Sequence, residues 1–229
     1  MKGTEQGSQA QEPNARKALQ RRRLPRQQRA VHTVEAILEA TERLAATHGF
    51  EALNTRLIAE RAGVGIGSLY QYFPTYESIL LALYERVSTE AAKQVRLSTI
   101  EVMDLTLGEA LATANRRLLE IYTSHQLVLI DLPMQVPQIE EVIRYTSLEV
   151  LNRGNIRLYL SHHPEFDLAN TDKHVFFIET LIHAMMRRFV REAPEFISPE
   201  ELVDQLRDSI MAYLEGQRVS EGVGGRSSS

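Results

Sequence analysis

The stretch GVGIGSLYQYFPTYES, Gly63 to Ser78, holds three glycines, three tyrosines, a glutamine and a phenylalanine, with no Lys or Arg. A glutamine can pair with both hydrogen-bonding groups of an adenine edge, and a tyrosine hydroxyl can bond a phosphate. Small residues such as Gly65, Gly67 and Ser68 let a helix backbone come close to a duplex, with its first N–H groups aimed at phosphate. These residue types in this order suit contact with DNA. Phe73 reads as core, closing the face that Leu69 begins, and Tyr84 likewise reads as packing.

Two other groups could do chemistry. Glu179 and His183 lie one helical turn apart with His174 nearby, a spacing that suits a metal ion. Yet the same segment is apolar on more than one side (Phe176, Phe177, Ile178, Leu181, Ile182, Met185, Met186). A helix of that kind packs on its own domain and on a partner together, so His183 reads as a hydrogen-bonded interface residue and no metal is expected. The run SHHPEFD, Ser161 to Asp167, contains a nucleophile, bases and carboxylates. It falls at a helix end beside Pro164 and reads as a solvated loop, so no catalytic residue, cofactor or enzyme activity is expected.

The elements that position the first group follow from periodicity. Val34, Ile37, Leu38, Thr41, Leu44 and Ala45 mark one buried helical face that Gly49 stops. Asn54 or Thr55 caps a short second helix, TRLIAERA. Gly63 ends it in the left-handed conformation of a tight turn. A third helix runs from Ile66 to Phe73–Pro74, and a fourth starts near Thr75. Helix, Gly-containing turn and helix make a helix-turn-helix, with the small Ala59 allowing a close crossing and Val64 and Leu69 filling the wedge. In that motif the second helix enters the major groove. Further on, the pattern predicts helices over Leu107–Thr123, HQLVLIDLP closed by Pro133, Gln138 to about His162, Asp172–Arg191 and Pro199–Glu215. No segment alternates as a strand does, and the chain reads as all-α.

Charge is uneven. The net charge is −4, yet residues 1–30 carry eight Lys or Arg against two Glu, while residues 91–229 carry 14 basic and 20 acidic side chains. A basic arm ahead of an acidic body suits a polyanionic partner at one end only. There is no cysteine, which removes disulfides and thiolate sites. With no apolar run near the ~20 residues that span a bilayer, and a polar, basic start, a cytoplasmic protein without membrane contact is expected.

The run LNTRLIAERAGVGIGSLYQYFPTYESILLALYERV closely resembles the DNA-binding region of TetR-family (tetracycline-repressor-like) regulators, and the likeness extends from Thr33 to Val87. It implies a homodimer of all-α subunits, each with an N-terminal three-helix DNA-binding domain and a larger helical domain for effector binding and dimerisation. By position it places DNA contacts on Thr55, Arg56, Ile66, Gly67, Ser68, Tyr70, Gln71 and Tyr72. Where the family carries a phosphate-gripping Lys or Arg, this chain has Tyr76, which keeps a hydroxyl and lacks the charge. The basic arm, with Arg26 and Arg29 at its end, is expected to compensate. Gly65 stands where a capping Ser is common, so the third helix is expected to start less firmly.

The organisation expected is a flexible basic arm over 1–28, a helix-turn-helix domain over 29–78, an effector and dimerisation domain over 79–216 and a flexible tail over 217–229. Polar or soft residues in apolar stretches supply the pocket candidates: Tyr122, His125, Met134, Tyr145, Asn152 and Met185, together with Met103 and Tyr159. The Pro133/Pro137 break resembles a joint between pocket helices. The dimer interface is expected on Phe177, Leu181, Met185, Leu206, Ile210 and Tyr213. The function expected is a repressor on a palindromic double-stranded DNA operator, released by a small hydrophobic effector. An all-α enzyme or carrier keeping the motif as a relic is the rival, and it would need a positioned acid–base pair that the sequence does not display.

Overall fold

The computed structural model describes residues 28–101, 105–163, 166 and 171–217; the expected arm and tail lie almost wholly outside them. The described elements are helical, and they form two compact units. One takes the chain up to Ala91 together with His125–Glu149, and the other takes Ala92–Ser124 and the chain from Val150 onward. Compactness therefore divides the chain inside the fourth helix, whereas the sequence suggested a boundary at residue 78.

The first unit opens with α1, Gln28–His48, whose buried stripe is Val34, Ile37, Leu38, Ala40, Thr41, Leu44 and Ala45. Gly49, at φ 75°, turns the chain into a 3-10 turn at Phe50–Ala52. Two short helices follow, α2 (Thr55–Arg61) and α3 (Ile66–Tyr72). Next comes α4, Tyr76–Glu101. Its Ile79, Leu80, Leu83 and Tyr84 are each 0% exposed and join Ile37, Phe50, Ile58, Leu69 and Phe73 in one core. At the rim Arg86 of α4 reaches two carboxylates of α1, Glu35 at 3.3 Å and Glu42.

After α5, Leu107–Ser124, which belongs to the second unit, the segment from His125 to Glu149 completes the first. It departs from expectation twice. HQLVLIDLP does not stop at Pro133: a π-helical turn, Leu127–Asp131, passes into α6 (Leu132–Gln135), where Pro133 sits in the first turn. Proline is tolerated there because the first N–H groups of a helix have no intrahelical partner. The long helix expected from Gln138 is broken. A 3-10 turn at Pro137–Ile139 and α7 (Glu140–Ile143) end in a turn, and α8, Ser147–Ser161, starts afresh. Contacts remote in sequence hold that break open: the Ser88 hydroxyl accepts from Leu148 N at 2.8 Å, and Ser147 donates to Glu85 at 2.7 Å.

The second unit packs α5 against α9 (Thr171–Glu192) and α10 (Pro199–Glu215). The Ser198 capping box and Pro199 set the start of α10, satisfying two orphan N–H groups reciprocally. Leu202, Val203, Leu206, Ile210 and Leu214 of α10 meet Leu118, Leu119 and Ile121 of α5 and Ile178, Ile182 and Met186 of α9, all at most 7% exposed. Two aromatic hydroxyls are tied to histidines here, Tyr122 to His183 Nδ1 at 2.5 Å and Tyr213 to His174 Nδ1 at 2.6 Å.

Candidate nucleic-acid interface

The helix-turn-helix is built by three local devices. Asn54 caps α2, its side chain accepting from Leu57 N at 2.9 Å, which satisfies one of the free N–H groups at the helix start. Gly63 adopts φ 67° in the turn, a conformation costly to any residue with a Cβ. Val64 N then reaches back to the Ala59 carbonyl at 3.0 Å, folding the turn onto the end of α2. Ala59 is 3% exposed and Leu69 0%. As expected, Gly65 precedes α3 without any side-chain cap.

These devices leave one face of α3 bare. Gly65, Ile66, Gly67, Ser68, Tyr70 and Gln71 are exposed and Tyr72 is half-buried, while Leu69 and Phe73 point into the core. Nothing lies within 4 Å of where a Cβ on Gly67 would stand, so the first turn offers open backbone. Tyr70 leans to the start of α2 and shares a 2.9 Å hydrogen bond with the Thr55 hydroxyl. That bond ties the start of α2 to the second half of α3, and Arg56 next to Thr55 is exposed.

Tyr76 corrects an expectation. Its hydroxyl donates to the Phe50 carbonyl at 2.6 Å, inside the unit. Burial, with a smaller push from the Glu77 charge, raises its pKa to about 12. A side chain held this way braces the start of α4 against the 3-10 turn, and its hydroxyl is not turned out as a phosphate contact. Arg56 in the first turn of α2 and Arg29 in the first turn of α1 are both exposed. Arg26 lies outside the described residues.

In the second unit a cavity of about 340 Å³ opens among α5, α8, α9 and α10, mostly apolar in lining. Of the six main pocket candidates, Asn152 lines it, as does Tyr159. Tyr122 is buried against His183, and Met185 faces outward at 41% exposed. His125, Met134 and Tyr145 belong to the other unit, the last two more than half exposed; Met103 lies outside the described residues. Asn115, not among the candidates, also lines the cavity, as do His162 and His163, which the sequence suggested lay in a solvated loop. Asn115 had a legible signal: it interrupts the stripe Leu111, Leu118, Tyr122 at helical spacing.

The interface candidates divide as well. Phe177 is 47% exposed, with Phe176 at 70%, and Tyr213 stacks on Phe177 at 4.2 Å between centroids. Leu181 is half-buried. Leu206 and Ile210, at 2% and 0% exposed, are filled in by α5 and α9 of the same chain, which takes them out of any outward face. Glu179 is engaged by Arg153 at 3.1 Å. Among the described residues no helix is long and apolar enough to cross a membrane.

Asn54, Gly63 and the Thr55–Tyr70 bond set a helix-turn-helix in which one face of α3 is left bare, within a helical fold. Over residues 37–83 the chain matches the profile of the bacterial regulatory proteins of the tetR family. A curated relative, the HTH-type transcriptional repressor KstR of Rhodococcus jostii, is 36% identical over 77 residues, 32% of this chain and 36% of that protein. The match thus spans little more than a third of the relative's length. Two solved structures share the fold more widely. The fatty acid degradation regulator FadR from Bacillus halodurans is 17% identical with a TM-score of 0.59, covering 80% of this chain and 96% of that one. A TetR-family transcriptional regulator from Streptomyces coelicolor is 24% identical with a TM-score of 0.55, covering 81% and 97%.

Proposed function

We propose that this chain is a DNA-binding transcriptional repressor. It acts as a homodimer on a palindromic operator and leaves it when a small, largely apolar effector occupies the cavity of the second unit. The observation that carries the reading is the bare face of α3, with open backbone and hydrogen-bonding side chains, tied through Tyr70 to Thr55, whose neighbour Arg56 is an exposed cation. Tyr70 and Gln71 stand where base edges and phosphates would be met, and Gln71 is the residue suited to adenine. The KstR relative, named as a repressor, matches in this segment.

Dimerisation is supported by the outward apolar residues of α9, where Phe176, Phe177 and Met185 make a patch of a kind that marks contact surfaces. A two-fold dimer would set two recognition helices about one helical turn of DNA apart. An effector bound more tightly by the DNA-free arrangement shifts the equilibrium by its difference in affinity, typically ~1–3 kcal/mol. Footprinting on the DNA flanking the chain's own gene tests the whole reading. Two protected half-sites of related sequence, centred about one turn apart, are expected. Protection spread evenly along the fragment would contradict it.

A further inference from the structure

Two buried side-chain amides in the second unit have no hydrogen-bond partner among the described residues. The side-chain amide nitrogens of Asn115 on α5 and Asn152 on α8 are buried without a hydrogen bond, in residues only 2% and 8% exposed. Both residues line the cavity. A buried N–H left unpaired costs far more than a bond made in its place gains, so such groups call for an explanation. The terminal torsion of asparagine is broad and two-fold, so re-aiming either amide is inexpensive.

Charge on the wall is already engaged. Glu120 offsets the charge of Arg117, bonding its Nη1 at 3.0 Å and leaving its buried Nε without a hydrogen bond, His183 Nδ1 is bonded to Tyr122, and His162 Nδ1 lies 2.8 Å from the Leu158 carbonyl. A carboxylate entering this mostly apolar space would have to compete with Glu120 for the Arg117 charge, and an uncompensated charge there is heavily penalised. A neutral oxygen acceptor meets no such penalty. The volume sits at the lower end of small-molecule sites.

Resting on the effector reading above, we infer that the cavity binds a compact, mainly apolar, uncharged molecule bearing a carbonyl oxygen, which the Asn115 and Asn152 amides hold by hydrogen bonds. These two residues orient the ligand and select it over the plain hydrocarbon.

The probes are methyl octanoate, octanoate and octane, titrated calorimetrically against the full chain. The ester is expected to bind most tightly. Asn115→Leu and Asn152→Leu should each weaken the ester roughly five- to tenfold and leave octane unchanged, and neither should lower the melting temperature of the empty protein, since each removes an unpaired polar group. Should either leucine variant fail to fold, the alanine variant at that position carries the same expectation for the ester. Equal binding of ester and octane, tighter binding of octanoate, no binding of any probe, or variants indistinguishable from the parent would each overturn the inference. Operator affinity is read in parallel. An ester that binds through the amides yet leaves DNA affinity unchanged would sink the effector reading and leave the ligand site standing.

Discussion

The Tyr76 hydroxyl donates to the Phe50 carbonyl at 2.6 Å, so the residue that replaces a phosphate-gripping cation ties the start of α4 to the turn after α1. Tyr76→Phe should cost about 1 kcal/mol of stability, the net worth of one such bond, and alter operator affinity little. The pH response has a definite sign. With the folded pKa raised to about 12 and an unfolded tyrosine near ~10, this stabilisation is complete below the unfolded value. It is lost as pH rises through the folded one. Denaturant midpoints across that window should fall in the parent and less in Tyr76→Phe.

Glycines of the motif separate stability from recognition. Gly63, at φ 67° with nothing within 4 Å of where an added methyl would stand, is constrained by backbone conformation alone. Gly63→Ala should therefore destabilise by roughly 1–2 kcal/mol. Gly67 is helical and equally open, so Gly67→Ala should hold or raise stability by up to about 1 kcal/mol. Its methyl would stand on the proposed DNA face, so operator binding should weaken. Thermal melts paired with anisotropy titrations read both effects; a Gly67→Ala protein with full affinity would take that turn out of the interface.

Gln71 and Tyr70 have different work. Gln71→Ala should flatten base preference at one operator position by about 1–3 kcal/mol. Tyr70→Phe frees Thr55 from its 2.9 Å bond and should weaken all sequences alike by loosening α3 against the start of α2. Binding-site selection on randomised half-sites distinguishes them, and an unchanged preference in Gln71→Ala would exclude that side chain from readout.

Burial decides which apolar substitutions act on assembly. Phe177→Glu, on the exposed face of α9, should yield folded monomers by light scattering. Leu206→Glu puts a charge where the side chain is 2% exposed and should unfold the second unit, a loss above ~4 kcal/mol. A well-folded Leu206→Glu monomer would restore Leu206 to the interface.

The helix-turn-helix was legible because its determinants are local: Asn54 caps, Gly63 turns, and Leu69 and Phe73 mark the buried face. The start of α10 was legible for the same reason, with Ser198 and Pro199 adjacent to it. The break before Ser147 was not. The Leu148 N–H at the start of α8 is met by Ser88, 60 residues away, and no local spacing records such a partner. An apolar stripe also cannot say what covers it, and so Leu206 and Ile210 read as interface although α5 of the same chain covers them.

The most direct measurement is the ratio of two affinities at one salt concentration: the full chain on the operator-bearing fragment beside its gene, and on a scrambled duplex of equal length and composition. Fluorescence anisotropy gives both. A sequence-reading α3 predicts a ratio of at least ~10³ in favour of the operator. Equal affinities would show that the chain holds DNA only through charge, and would contradict the reading of α3 as a recognition helix.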